Sequence, residues 1–249
     1  MDTEAIHVAA EKLLKDAGVV ITGSHFVYTS GRHGPDYVNK DALYANPGAL
    51  DNICGLMADY LARHGVTVVV GPAVGGVNLS QGTARHLNEH PLRVRMPKVS
   101  AAYAERDEEV IAKYGDGNLI IVGMHGIRLP EGASLVVKKD GFVLKRGYDK
   151  LVSGGKKVIV VEDILTTGGS AARTVQAVQA AGGEVIGVVA VCNRGQITAK
   201  QLGVPMLFSL TSPKLESWAE DEMPDWLKAR PVDITVGHGK AYMERKRSQ

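Results

Sequence analysis

The chain has 249 residues, of which 45% are apolar and 22% charged, a composition that predicts a globular protein with a sizeable core. A formal net charge of +2 gives no indication of nucleic-acid binding. No apolar run is long enough to predict a transmembrane helix. Cys54 and Cys192 lie far apart in apolar segments, which predicts buried free thiols and argues against a disulfide framework.

The first third of the chain predicts two helices separated by an extended segment. Residues 2–17 place apolar side chains on one helical face, and Gly18 is a suitable C-terminal stop. Residues 25–39 predict two extended pieces joined by a glycine-rich turn. Residues 47–63 predict a second helix, which Pro47 begins near its first position.

A buried strand is predicted at 66–70, and the glycine-rich turn GPAVGG at 71–76 follows it. This turn opens a helix that we expect to run to about Asn88. Consecutive backbone N–H groups in such a turn form a nest for an anion.

The sequence pattern that predicts strands and helices is weakest at residues 91–150. They predict strands at 99–103, 134–138 and 142–145. The stretch at 119–137, LIIVGMHGIRLPEGASLVV, alternates strand-like runs with Gly and Pro turns and predicts a hairpin. We expect residues 107–139 to form a long excursion, because they exceed the length of an ordinary connection.

The strongest motif is KVIVVEDILTTGGS at 157–170, where a buried strand leads to Glu162 and Asp163. A Thr/Gly turn follows, and it runs into a helix predicted at 171–181. Ligands bind at the carboxyl ends of strands in open α/β sheets, and a helix N-terminus favours an oxyanion. Carboxylates beside a phosphate turn suit a sugar phosphate, and the P-loop and dinucleotide-binding patterns are both missing.

Beyond this motif, strands are predicted at 185–191 and 204–210. Arg194 follows the first of them and is therefore expected at the same sheet edge as the two acids. A guanidinium there suits a planar anion.

The segment VVEDILTTGGS resembles the phosphoribosyl pyrophosphate (PRPP) signature of type I phosphoribosyltransferases. The resemblance implies an α/β fold, with a mostly parallel central sheet flanked by helices, a small hood and an enlarged flexible loop. We expect a phosphoribosyltransferase domain at 1–210, with the hood at about 20–45 and the loop excursion at about 107–139. Residues 211–249 would form a C-terminal extension that packs against the body or a neighbouring subunit.

The same resemblance implies which residues bind PRPP. They are Glu162, Asp163, Ile164, Leu165, Thr166, Thr167, Gly168, Gly169, Ser170, Gly75, Gly76 and Arg106. The family often carries a lysine where Gly75 stands, so that here only backbone contacts to pyrophosphate are expected from this turn. Catalysis is expected from Glu162 and Asp163 together with Lys145 and Arg146 of a mobile basic loop; Arg106 is the alternative basic residue.

The hood segment is similar to a Ser-Gly-x-x-Ser-Pro-x-aromatic-aromatic-Asn segment of the orotate phosphoribosyltransferases. Five residues match, namely Ser30, Gly31, Pro35, Tyr37 and Asn39. Thr29 replaces a frequent lysine, and Val38 replaces the second aromatic residue. The resemblance implies that the base contacts Tyr37, Thr166 and Arg194, with Arg194 on its carboxylate, which favours orotate.

The implied reaction transfers ribose 5-phosphate from PRPP to orotate and releases pyrophosphate. Mg²⁺ is expected as cofactor, held mainly by substrate and water, so no protein metal-ligand set is predicted. Two alternatives stay open: a transferase for another base, such as a purine, and a regulator that binds PRPP without turnover. We expect a cytoplasmic homodimer with no nucleic-acid or membrane partner.

Overall fold

The structure is a computed structural model, and it describes residues 1–28, 30–114, 117–120 and 134–248. The helices in this part of the chain are α1 Thr3–Asp16, α2 Lys40–Ala45, α3 Pro47–Leu61, α4 Gly75–Glu89, α5 Tyr148–Val152, α6 Gly169–Ala180, α7 Ala199–Leu202, α8 Asp225–Lys228 and α9 Gly239–Arg247. The strands are β1 Val20–Ile21, β2 Phe26–Val27, β3 His33–Gly34, β4 Tyr37–Val38, β5 Val68–Pro72, β6 Ser100–Tyr114, β7 Gly117–Ile120, β8 Ser134–Val143, β9 Lys157–Ile164, β10 Glu184–Cys192 and β11 Leu207–Thr211.

Local sequence explains where the long helices begin. The side chain of Asp2 caps α1 by accepting a hydrogen bond from the N–H of Ala5 at 2.8 Å. Asn46 caps α3 in the same way through the N–H of Ala49, and Pro47 occupies the first turn. Both helices confirm the pattern in the sequence.

The central sheet has the order β11-β10-β9-β5-β6, and every neighbouring pair in this row is parallel. Strand β9 lies in the middle, with Val158 opposite Val68 of β5 and Val161 opposite Val189 of β10. Parallel alignment brings the carboxyl ends of all five strands to one edge. The predicted mostly parallel α/β fold is therefore confirmed.

Both faces of this sheet are covered, which is why β9 is a continuous apolar run. Ile159 and Val161 pack into a core shared with α1, α3 and α4. Val158 and Val160 point to the other face, into a core shared with α6. The free thiols of Cys54 and Cys192 are buried in the first core, as predicted.

The strands predicted between 99 and 145 differ from those observed. β6 continues to Tyr114, well past the predicted end at Tyr103. β8 is one strand from Ser134 to Val143, where two had been predicted. The reason is antiparallel pairing with β6, which includes Asp140 and Gly141 in the ladder. The register of this pairing shifts between Glu109 and Val110, as at a β-bulge, and the strand continues past the shift.

The predicted excursion at 107–139 thus includes three antiparallel strand segments. β7 pairs with one side of β6, with Ile120 opposite Ile111, and β8 pairs with β6 as well. Most of the hairpin predicted at 119–137 lies outside the described residues, as does Thr29 of the hood.

The last strand begins later than predicted. Val204 closes the end of α7, because its N–H donates to the carbonyl of Ala199 after Gly203 adopts a left-handed conformation at φ +67°. β11 therefore starts at Leu207 and includes Thr211, one residue beyond the predicted domain boundary.

The C-terminal extension packs against the hood of its own chain. The backbones of Trp218 and His33 exchange two hydrogen bonds, at 2.8 and 2.9 Å. The N–H of Asp233 donates to the carbonyl of His25, and that of His238 donates to the carbonyl of Val27. This is the first of the two packing arrangements expected for the extension.

Candidate active site

Glu162 and Asp163 end the buried part of β9, at the edge where the parallel strands terminate. They are only 5% and 6% exposed. Acids at a strand end are expected at the surface, and here that expectation is wrong, because the turns after β5 and β9 fold over them. Burial and the neighbouring Asp163 raise the pKa of Glu162 above its ordinary range.

The turn after these acids forms a small polar concavity. Residues 164–170 and Glu162 line a cavity of about 180 Å³. The N-terminus of α6, a helix of 12 residues, opens into it. Backbone N–H groups and the helix dipole make this turn suitable for a phosphate group.

Two glycines in this turn have different roles. Gly168 has φ +75°, and a Cβ there would press on Ile197 and Leu202 at 3.2 and 3.0 Å. Gly169 lacks a positive φ, and a Cβ there would meet Thr167 Oγ1 at an ordinary 3.5 Å. The backbone shape of the turn therefore depends on Gly168.

The second glycine-rich turn, Gly71 to Gly76, lies beside the acids. A Cβ on Gly76 would approach the Cα of Gly71 at 2.7 Å, so the turn closes tightly only because both are glycines. The N–H of Ala73 donates to the carbonyl of Ala104 at 2.8 Å, which fixes the turn to β6.

Helix α2 adds two residues that the sequence did not single out. Tyr44 Oη lies 2.8 Å from the carbonyl oxygen of Gly75 and 3.0 Å from Oδ2 of Asp163. Lys40 Nζ lies 3.6 Å from the same Oδ2. Burial and the charge of Asp163 raise the pKa of Tyr44 well above its ordinary value. The spacing of four residues between Lys40 and Tyr44 was the available signal, since it puts both on one helical face.

Arg194 lies at the same sheet edge, next to the phosphate turn. The N–H of Gly195 donates to the carbonyl of Leu165 at 2.8 Å. A Cβ on Gly195 would lie 2.6 Å from the carbonyl carbon of Thr166, so a glycine is required for this close approach. The structure thus brings together Thr166 and the loop that carries Arg194.

The aromatic residue next to Arg194 is Tyr28, which the sequence did not single out. The guanidinium carbon of Arg194 lies 5.1 Å from the centroid of the Tyr28 ring. Tyr37 instead packs against Phe26, with ring centroids 5.4 Å apart, and against Gly237 of the extension. The structure therefore does not bring Tyr37 to Arg194.

The predicted basic residues lie where β6 and β8 leave the sheet. Arg106 pairs with Phe142 across the two strands, and Lys145 and Arg146 follow the end of β8. Arg146 Nε donates to Oε1 of Glu105 at 2.8 Å. Because Ala104 of β6 accepts a hydrogen bond from the Gly71–Gly76 turn, Arg106 on β6 and the residues just after β8 belong to the strand pair that adjoins this turn.

A larger cavity, of about 510 Å³, lies between the faces of α1, α3 and α4. It is lined by helix side chains such as Leu13, Leu56 and His86, and neither Glu162, Asp163 nor the two glycine-rich turns line it. We place the candidate active site at the strand ends because Glu162, Asp163 and the backbone N–H groups of two turns converge there, although the cavity is smaller.

Comparison with known proteins agrees with this geometry. A family model described as a phosphoribosyl transferase domain matches residues 39–219. The chain belongs to this phosphoribosyltransferase family. The matched range includes α2, both glycine-rich turns, the acids and Arg194.

Individual relatives extend the likeness over most of this phosphoribosyltransferase. An orotate phosphoribosyltransferase from Deinococcus radiodurans is 33% identical over 222 residues, covering 88% of this chain and 94% of the relative. The crystal structure of the Mycobacterium tuberculosis orotate phosphoribosyltransferase has a TM-score of 0.52 at 22% identity, covering 82% of this chain and 95% of that one. The adenine phosphoribosyltransferase of Saccharomyces cerevisiae also has a TM-score of 0.52, at 16% identity, covering 82% and 99%. The fold alone therefore does not select the base.

Proposed function

We propose that this phosphoribosyltransferase is a Mg²⁺-dependent orotate phosphoribosyltransferase, which forms orotidine 5′-phosphate and pyrophosphate from PRPP and orotate. The observation that carries the choice of orotate is the position of Arg194, whose loop is pressed onto the PRPP turn at Thr166. A guanidinium beside the reacting sugar suits the carboxylate of orotate, a group that adenine lacks. The relative at 33% identity, an orotate phosphoribosyltransferase, supports the same choice.

In this proposal the substrate spans the two glycine-rich turns. The 5′-phosphate binds the backbone N–H groups of residues 166–170 at the N-terminus of α6. The ribose hydroxyls donate to Glu162 and Asp163. The pyrophosphate of PRPP lies at the Gly71–Gly76 turn, near Arg106, Lys145 and Arg146. Orotate lies between Thr166 and Arg194.

The chemical step needs no covalent enzyme intermediate. A ring nitrogen of orotate forms the bond to C1′ of the ribose and loses its proton, while the bond from C1′ to the pyrophosphate oxygen breaks. The electron pair of that bond leaves with pyrophosphate, which takes up the released proton. Positive charge that develops on the ribose is stabilised by the neighbouring carboxylates, and basic groups stabilise the leaving group. Since both substrates are held in one cleft, positioning contributes much of the rate.

Mg²⁺ suits the donors at this edge. Carboxylate oxygens of Glu162 and Asp163 are hard ligands of the kind that Mg²⁺ prefers, and it binds through few protein groups while keeping waters and phosphate oxygens. No cluster of three or more His, Cys, Asp or Glu side chains suited to a metal occurs among the described residues. When bound, Mg²⁺ neutralises charge on the pyrophosphate.

Three further expectations stay predictions: a homodimer, a cytoplasmic location and the absence of nucleic-acid partners. In the described ranges, no helix has both the length and the apolar character needed to cross a membrane. The division into a phosphoribosyltransferase domain at 1–210 and an extension at 211–249 is likewise proposed. It falls one residue before the end of β11 at Thr211.

The proposal is tested by supplying PRPP and Mg²⁺ with a panel of bases and following pyrophosphate release. We expect release with orotate and little with uracil or the purines. Use of a purine in place of orotate would establish the first alternative, and PRPP binding without release for any base would establish the regulator. A variant with Glu162→Gln and Asp163→Asn, which preserves side-chain shape, serves as the inactive control.

A further inference from the structure

The Gly71–Gly76 turn, which is expected to hold pyrophosphate, has no room for a cationic side chain at position 75. A Cβ on Gly75 would lie 2.8 Å from Tyr44 Oη and closer still to Oδ2 of Asp163. Any residue other than glycine would therefore displace one of these two groups. A cation for this turn has to come from another part of the chain.

Lys40 lies where such a cation is needed. A cavity of about 290 Å³ in front of the turn is lined by Lys40, Asp41, Tyr44, Val74, Gly75 and Asn78, and Lys40 is the one cation among them. The N-terminus of α4, a helix of 15 residues, opens at the same place. Backbone dipoles and an ammonium group there act on the same anion.

The contacts of Lys40 leave its head group able to move. Its side chain is 53% exposed, and its ion pair with Asp163 is 3.6 Å long. Asp163 has other partners, because Oδ1 accepts from the N–H of Ile164 at 2.6 Å and Oδ2 lies near Tyr44. Lys40 is therefore not needed to keep Asp163 paired when the ammonium turns toward a ligand.

We propose that Lys40 binds the leaving pyrophosphate at the Gly71–Gly76 turn and that Asp163 is its counter-ion in the substrate-free enzyme. When ribose hydroxyls reach Asp163, the ammonium group moves to the pyrophosphate oxygens. Lys40 stabilises the negative charge that grows as the C1′–O bond breaks. This assignment rests on the proposed function, because it names a further residue for the same reaction.

The first test compares Lys40→Met with the control Lys12→Met, since Lys12 is also an exposed lysine paired with an aspartate, Asp16 on α1. We expect Lys40→Met to raise KM for pyrophosphate in the reverse reaction and to lower forward kcat, each by about one to three orders of magnitude, because a charge aimed at a developing anion is lost. KM for orotate should change by less than about twofold, because the proposed contact of Lys40 is with pyrophosphate and not with the base. Lys40→Arg, which keeps the charge, should recover most of the loss, and Lys12→Met should match the wild type.

A second test separates direct binding from an effect through Asp163. Pyrophosphate affinity is measured by calorimetry for Asp163→Asn and for Asp163→Asn with Lys40→Met. If Lys40 contacts pyrophosphate, the second substitution still weakens binding about tenfold or more in this background. An unchanged affinity would overturn the proposal.

The two tests also distinguish failure of this inference from failure of the proposed function. A wild type that releases no pyrophosphate with orotate would refute the function, while calorimetry with pyrophosphate would still decide the role of Lys40. An active wild type with a normal Lys40→Met variant would refute Lys40 alone. Thermal melting of each variant checks that the fold is intact.

Discussion

The guanidinium of Arg194 lies over the ring of Tyr28, 5.1 Å from its centroid. Tyr28 is itself fixed, because its hydroxyl donates to the carbonyl of Asp36 at 2.6 Å and packs against Gly34. Burial raises the pKa of Tyr28, so its ring stays neutral. An aromatic face that holds a guanidinium leaves the in-plane N–H donors available for a planar carboxylate. Tyr28 therefore orients the residue proposed to select the base.

Replacing Tyr28 by leucine tests this orientation. Tyr28→Leu should raise KM for orotate by about 3- to 10-fold, because a cation–π contact contributes about 0.5–1 kcal/mol or more. KM for PRPP should stay nearly constant. Tyr28→Phe retains the ring and is the matched control; an equal loss in both variants would assign the effect to the hydroxyl and its bond to Asp36.

Replacing Arg194 by alanine tests base selection itself. Arg194→Ala should raise KM for orotate by at least about tenfold, because the carboxylate loses a charged partner in a partly desolvated site. Discrimination between orotate and uracil should shrink, and PRPP affinity should hold. If Tyr28 acts through Arg194, Tyr28→Leu adds little in the Arg194→Ala background; simple additivity there would contradict the coupling.

Glu162 should make stability depend on pH. Its pKa is raised in the folded protein, first by burial and then by Asp163, so the folded state binds more protons than the unfolded state above the ordinary value of 4.5. Stability should therefore fall as pH rises from this value through the raised folded pKa. Glu162→Gln should flatten that slope in denaturant unfolding measured between about pH 5 and 9, a window set by typical raised carboxyl values. If stability falls with pH as steeply in Glu162→Gln as in the wild type, Glu162 is not the group responsible.

The basic residues near the Gly71–Gly76 turn can be ranked by substitution. Lys145→Ala or Arg146→Asn should lower kcat by about one to three orders of magnitude if either group acts on pyrophosphate. Asparagine is chosen at position 146 because Arg146 has φ +60°, a conformation that asparagine tolerates. Normal activity in both, together with a large loss in Arg106→Ala, would select the alternative residue.

Docking of the C-terminal extension should weaken in acid. His25 Nδ1 donates to the carbonyl of Arg230 at 3.1 Å, so its Nε2 accepts from His33 Nδ1 at 2.9 Å. Among the described residues, the buried Nε2 of His33 has no hydrogen-bond partner. Burial, then His25, lower the pKa of His33; Lys246 acts in the same direction and Glu220 opposes it. Because this pKa is depressed on folding, the stabilisation is present above the ordinary value of 6.5 and is lost as pH falls through the folded pKa.

This loss is measurable by hydrogen exchange at 25–34 and 230–247 between about pH 7.5 and 5.5, which brackets the ordinary histidine value. Exchange should accelerate in both segments together as pH falls. His33→Phe removes the titrating group and should abolish the pH dependence, whereas His64→Gln, a substitution of an exposed histidine, should leave it unchanged. Equal pH dependence in wild type and His33→Phe would disprove the role of His33.

The sequence by itself determined the parts of this protein whose physics is local. A run of β-branched residues, two acids and a Thr/Gly turn occupy consecutive positions at 157–170, so strand, turn and helix follow from one short segment. Asp2 and Asn46 cap their helices through residues three positions away. The mostly parallel sheet was expected from the resemblance of this same segment to the PRPP signature, and the alternation of strands and helices along the chain agrees with it.

The tertiary structure decided which distant side chains meet. Lys40 and Tyr44 reach Asp163 across more than a hundred residues, and Tyr28 reaches Arg194 across a longer separation still. Tyr37 satisfied the hood pattern, yet the extension packs against it through Gly237, which no local pattern encodes. The acids are buried because two turns from separate strands close over them, and β8 is continuous because β6 supplies its partner. These features depend on the packing of elements far apart in the chain, where periodicity and capping carry no information.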